Sequence, residues 1–233
     1  MLENVEPLRV FHYFENICAI PHGSGNTDGI SEFCVNFARE HGLEYKKDAL
    51  NNVIIKKAAT AGYENHPTVI LQGHLDMVCE KTADCAIDFK KDGLRLVLTG
   101  DMLSADGTTL GADDGIAVAM ILAFLEDETA AHPPLEALFT TDEETGMYGA
   151  EGVDVSALSG STLINLDSGE EGVLTVGCAG GAKADFKMPV EFCENTEPCV
   201  KITVSGLLGG HSGIDINKGR LNADTIMGRL LSG

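Results

Sequence analysis

Apolar residues first recur at helical spacing at Leu8, Phe11, Phe14, Ile17 and Cys18, which predicts a helix within residues 7–20. Pro21-His22-Gly23-Ser24-Gly25 ends it. Asn26 or Thr27 can cap a second helix with Ile30, Phe33, Cys34, Phe37 and Ala38 on one side, and Gly42 ends that one. Strand-like pieces follow near residues 43–47 and 52–57. Thr68 to Gln72 is apolar without alternation, as in a strand buried on both faces. Leu94 to Leu98 and Met102 to Ala105 predict a hairpin across Thr99-Gly100-Asp101. Ile116 to Leu125 is apolar nearly all round and reads as a buried helix. Leu135 to Thr140 and Thr162 to Leu166 read as further buried strands. This order of strand, helix and strand predicts an α/β fold, a mixed sheet flanked by helices.

The pattern changes after Cys178-Ala179-Gly180-Gly181. Residues 183–190 and 200–204 alternate as strands with one wet face do, and 222–231 has helical spacing at Ala223, Ile226, Met227 and Leu230. A boundary at Gly180 therefore divides a first domain, residues 1–179, from the beginning of an α+β second domain, residues 180–233. Two strands and a helix are few for an independent core.

Length and charge narrow the field. A chain of 233 residues holds one substantial core or one core and part of another. The 36 acidic against 16 basic residues leave a formal charge of −20, which makes nucleic acid and anionic membranes poor partners. The longest apolar run, Ile116 to Leu125, is too short to span a bilayer, and the acidic start of the chain lacks the basic region of a signal peptide. Seven cysteines, an odd number with no C-x-x-C pair, predict reduced thiols in a cytoplasm rather than a disulfide framework.

The candidate chemistry lies at the ends of the apolar segments. His74-Leu75-Asp76 follows the run from Thr68 to Gly73. His-x-Asp alone is a weak pattern, but alternate residues of a strand share a face, so the pair can point together. Asp113 and Asp114 open the buried helix, where acids either cap the N-terminus or, among the glycines of Gly107-Thr108-Thr109-Leu110-Gly111, hold a cation. Asp142-Glu143-Glu144 follows the strand ending near Thr141 and is either a solvated turn or a ligand beside a general base. Asp167 closes the last apolar strand. Ligands of open α/β sheets gather at the carboxyl ends of strands, so the four clusters together say more than any one.

The set GHLDM, GTTLGADDGIA, TTDEETGMYGA, NLDSGEEG and GGHSG resembles the dinuclear zinc peptidases. PHGSGN, LNNVIIKK and LQGHLDMVCEK look like the subgroup of dipeptidases acting on Xaa-His and broader dipeptides. The resemblance implies Zn2+, two ions per full-length site, with Mn2+ or Co2+ also suited to mixed nitrogen and oxygen ligands. It implies that His74 and Asp167 hold one zinc, Asp113 bridges both, Glu144 holds the second, Asp76 orients His74 and Glu143 is the general base. His211 matches a lid-domain histidine that reaches the substrate, often in the partner subunit's site, so residues 180–233 would begin a lid and dimerisation domain and the full-length protein could be a homodimer. Family members add a last histidine ligand beyond the lid. None of the seven histidines here lies after His211, so the chain reads as an N-terminal fragment, weak or inactive as a dipeptidase by itself. Related amide hydrolysis, as by an aminoacylase or tripeptidase, and metal binding without catalysis are the alternatives.

Overall fold

The computed structural model describes residues 1–178, 180, 184–210 and 215–233. The chain divides into two compact units, Met1–Leu174 and Thr175–Gly233.

The first unit is a mixed α/β structure. In chain order it contains α1 (Leu8–Cys18), α2 (Asp28–Glu40), β1 (Glu44–Lys47), β2 (Val53–Lys57), β3 (Val69–His74), β4 (Leu96–Thr99), β5 (Met102–Ala105), α3 (Ala112–Glu126), β6 (Leu135–Thr140), α4 (Tyr148–Gly152) and β7 (Thr162–Asn165). Five strands form one sheet in the order β1-β2-β6-β3-β7, and β4 pairs with β5 as the expected hairpin. β2 lies between β1 and β6 and runs antiparallel to both, whereas β6, β3 and β7 run parallel. The carboxyl ends of β3, β6 and β7 therefore meet at one edge. In register, His74 lies beside Thr140.

Burial explains this arrangement. One sheet face presents Val53, Ile55, Leu135, Ala137 and Phe139 to Phe14 and Ile17 of α1, Cys34 and Phe37 of α2 and Val118, Ile121 and Leu122 of α3. Ile54, Ile70 and Leu138 on the other face pack against Val153, Ala157 and Leu158. β6 is buried at every residue, which is why its sequence is uninterrupted by solvent-facing positions. α3 buries nine residues, in keeping with its apolar circumference.

Two expectations are corrected. The strand at 162–166 forms, but β7 is exposed along its length, with Leu163 at 51% and Ile164 at 44%. It is an outermost strand, and among the described residues only β3 pairs with it. In the second unit, the described residues of 183–190 and 200–204 form no strand. Phe186, Met188 and Val200 are exposed, and alternation alone does not make a strand without a neighbour to pair with and a surface to bury against. The helix at the end does form, as α5 (Ala223–Ser232), capped by the Asn222 side chain accepting from the Thr225 amide at 2.9 Å.

Candidate metal centre

Every cluster singled out in the first unit arrives at the carboxyl edge of the parallel strands. His74 is the last residue of β3 and is buried. Its Nδ1 donates to the backbone carbonyl of Asp76 at 2.9 Å, which leaves Nε2 to face the carboxylates. Nε2 is 3.1 Å from Asp113 Oδ1, 3.8 Å from Asp167 Oδ2 and 4.0 Å from Glu143 Oε2.

The start of α3 shows how Asp113 reaches it. Gly111 precedes the helix in the left-handed region, and neither Asp113 nor Asp114 has helical dihedrals. Among the described residues no side chain caps this terminus, so the acids do not serve as helix caps. Asp113 turns outward to His74. Asp114 turns inward, is buried, and accepts the backbone N–H of His74 at 3.0 Å. Gly73 is needed for this approach, since a Cβ there would lie 2.7 Å from Asp114 Oδ2.

Beyond β6 the chain turns through Asp142, whose φ is +54°, into Glu143 and Glu144. The Asp76 carboxylate holds this turn: Oδ1 accepts the Glu143 amide at 3.0 Å and Oδ2 the Glu144 amide at 3.3 Å. Asp76 was expected to orient His74. Its carbonyl accepts from the ring and its carboxylate is 3.5 Å from Nδ1. Two groups result that could each hold a metal ion, His74 with Asp113 and Asp167, and His74 with Glu143 and Glu144. His211 lies outside the described residues.

Crowding of acids shapes the electrostatics. Burial would lower the His74 pKa, but the Asp76, Asp114 and Asp167 carboxylates override it and push the value to about 10. Burial pushes Asp114 up to about 7. Glu143, Glu144 and Asp167 are also raised, first by burial, with Asp113 adding to each. Asp76 is lowered despite burial, because the neighbouring His74 ring favours its charged form and Ser24 and the Glu143 amide hydrogen-bond it. Raised carboxylates around one imidazole are a donor set short of positive charge, and a divalent cation fits that need.

Three roles escaped the sequence reading. Asp114 reads from the sequence, with Asp113, as a cap or a cation ligand, and its hold on the His74 amide is what that reading lacks. Ser24 has no assigned role in the sequence reading and Asp142 enters it only within the acidic cluster, although Ser24 donates to the Asp76 carboxylate and Asp142 accepts the Gly25 amide. The glycine-flanked PHGSGN segment was the available signal.

Comparison with known proteins finds relatives along the whole chain. The chain is 43% identical along its whole length to the cytosol non-specific dipeptidase of Escherichia coli. It superposes on the aminoacylhistidine dipeptidase of Vibrio alginolyticus with a TM-score of 0.76 and 37% identity, again over 100% of the chain. A tripeptidase from Staphylococcus aureus shares the fold over 70% of the chain and 43% of its own, with a TM-score of 0.58 and 21% identity. The chain spans about half the length of the dipeptidases it matches, 48% in both cases. No family model matches it. Among the described residues no helix is long and apolar enough to cross a membrane.

Proposed function

Starting from a chain related in sequence and fold to these dipeptidases, we propose that it carries a metal-dependent peptide-hydrolysing site acting on dipeptides, Xaa-His among them. The observation that carries this reading is the convergence of His74, Asp113, Glu143, Glu144 and Asp167 from separate strand ends and a helix start. His74 and Asp167 would hold one zinc ion, Asp113 would bridge, and Glu144 would hold a second. The first unit would be catalytic, the second would begin a lid and dimerisation domain with His211 as a substrate-binding residue, and the setting would be cytoplasmic.

A divalent ion bound here lowers the pKa of water and polarises a carbonyl. The remaining chemistry belongs to the side chains. Glu143 is half-exposed beside His74, and its raised pKa brings a carboxylate closer to the range of a useful proton acceptor. It would take the proton of the attacking water and return it to the leaving amine. Asp76 holds the backbone of the turn from which Glu143 and Glu144 project, so base and ligand keep a fixed relation. His74 presents Nε2 because its other nitrogen is committed to a carbonyl.

The test is hydrolysis of dipeptides by the zinc-loaded protein, with tripeptides and N-acyl amino acids alongside. Slow turnover of dipeptides that stops with a chelator is expected. Glu143→Gln should retain zinc and lose about 100-fold or more in rate. Turnover that survives either treatment would refute the proposal.

A further inference from the structure

The Asp76 carboxylate has a third donor whose role the proposed reaction does not explain. Ser24 Oγ donates to Asp76 Oδ2 at 2.7 Å, the shortest of the carboxylate's contacts. The other donors are backbone amides of the Glu143 turn, while the His74 ring lies 3.5 Å away, committed to a carbonyl. Asp76 Oδ2 also accepts the Glu144 amide, so the Ser24 hydroxyl and that amide pin the same oxygen.

Ser24 is itself held in place. The Met77 amide donates to the His22 carbonyl at 3.1 Å, joining this segment to the exit of β3. The Asn26 amide closes a turn on the Gly23 carbonyl at 2.8 Å. The Gly25 amide donates to Asp142 Oδ1 at 2.6 Å, so the same turn grips the acidic loop directly. The buried His22 ring is tied to the Ile20 carbonyl through Nδ1 at 2.6 Å. Residues 22–26 thus brace the end of β3 and the Glu143 turn against each other.

We propose that Ser24 is a positioning residue, acting through the Asp76 carboxylate to fix the turn that presents Glu143 and Glu144. Without its hydroxyl, Asp76 can rotate toward His74 Nδ1 and leave the Glu144 amide. This role in the reaction rests on the hydrolytic reading above, but the contact itself can be tested without catalysis.

The experiment compares Ser24→Ala and Ser24→Thr with the unaltered 233-residue chain, following amide hydrogen exchange by NMR and zinc affinity by calorimetry. In Ser24→Ala, exchange at Glu143 and Glu144 should accelerate about tenfold while β6 amides keep their rates, and zinc affinity should fall about tenfold, as for other groups that orient ligands. Ser24→Thr keeps a hydroxyl and should restore both. Unchanged exchange at Glu143 and Glu144 in Ser24→Ala, or acceleration spread equally through β6, would overturn the proposal. Failure of the hydrolytic reading would show differently, as absent dipeptide turnover by the unaltered chain, and leaves the exchange comparison intact.

Discussion

The unusual charge state of His74 gives a sharp prediction. With a pKa of about 10, the ring is protonated at pH 8 in metal-stripped protein, whereas an ordinary imidazole would be neutral. A metal ligand must be neutral, so binding has to displace that proton. At pH 7 the gap of about three units opposes binding by about 4 kcal/mol. Apparent zinc affinity should therefore rise about tenfold per pH unit from 7 toward 9. Stability follows the same logic. His74 and Asp114 both have folded pKa values above their unfolded ones, 6.5 and 3.8. At these two groups the folded chain thus binds more protons than the unfolded chain between about pH 4 and 10, and they make it less stable as pH rises through that window. The assay is an NMR titration of the His74 ring in metal-stripped protein, paired with calorimetric zinc titrations at several pH values. A ring that titrates below pH 7, with pH-independent affinity above 7, would refute the electrostatic account.

Two further predictions concern the frame. Glu136 of β6 is buried and accepts from the Ser159 amide and hydroxyl and the Gly160 amide at 2.9–3.0 Å, with Lys56 at 3.3 Å. Glu136→Ala orphans these donors and should cost about 2–3 kcal/mol in chemical denaturation; a loss below about 0.5 kcal/mol would show the contacts to be idle. Its pKa is lowered by these donors despite burial, so its stabilisation is present above pH 4.5 and is lost as pH falls through the lowered value. Gly149 sits where a Cβ would come within 2.4 Å of the Thr141 carbonyl oxygen. Gly149→Ala should lower stability by about 1–3 kcal/mol and disturb the Asn52 side chain that clasps Gly149 and Thr141; an unshifted melting temperature contradicts this.

The regular elements of the first unit were legible because their signals are local. Helical spacing from Leu8 to Cys18, the unbroken run at 68–72 and the apolar circle of α3 each need only a core to bury against. Clusters at strand ends were legible for a similar reason, since parallel strands deliver their carboxyl ends to one edge. What escaped depends on neighbours far along the chain. β7 has strand chemistry, but its exposure follows from its outermost place in the sheet. Residues 184–190 alternate but pair with no strand among the described residues. Asp113 and Asp114 look alike in sequence, and only the non-helical backbone at the start of α3 sends one to the His74 ring and the other beneath its amide.

The central claim is that one imidazole and several carboxylates, rather than the chain's seven cysteines, form the metal centre. X-ray absorption at the zinc edge of the loaded protein tests it most directly. The account predicts nitrogen and oxygen scatterers at about 2.0–2.2 Å with a single imidazole signature that His74→Ala abolishes. A sulfur shell at about 2.3 Å, or zinc uptake unaffected by His74→Ala, would contradict it.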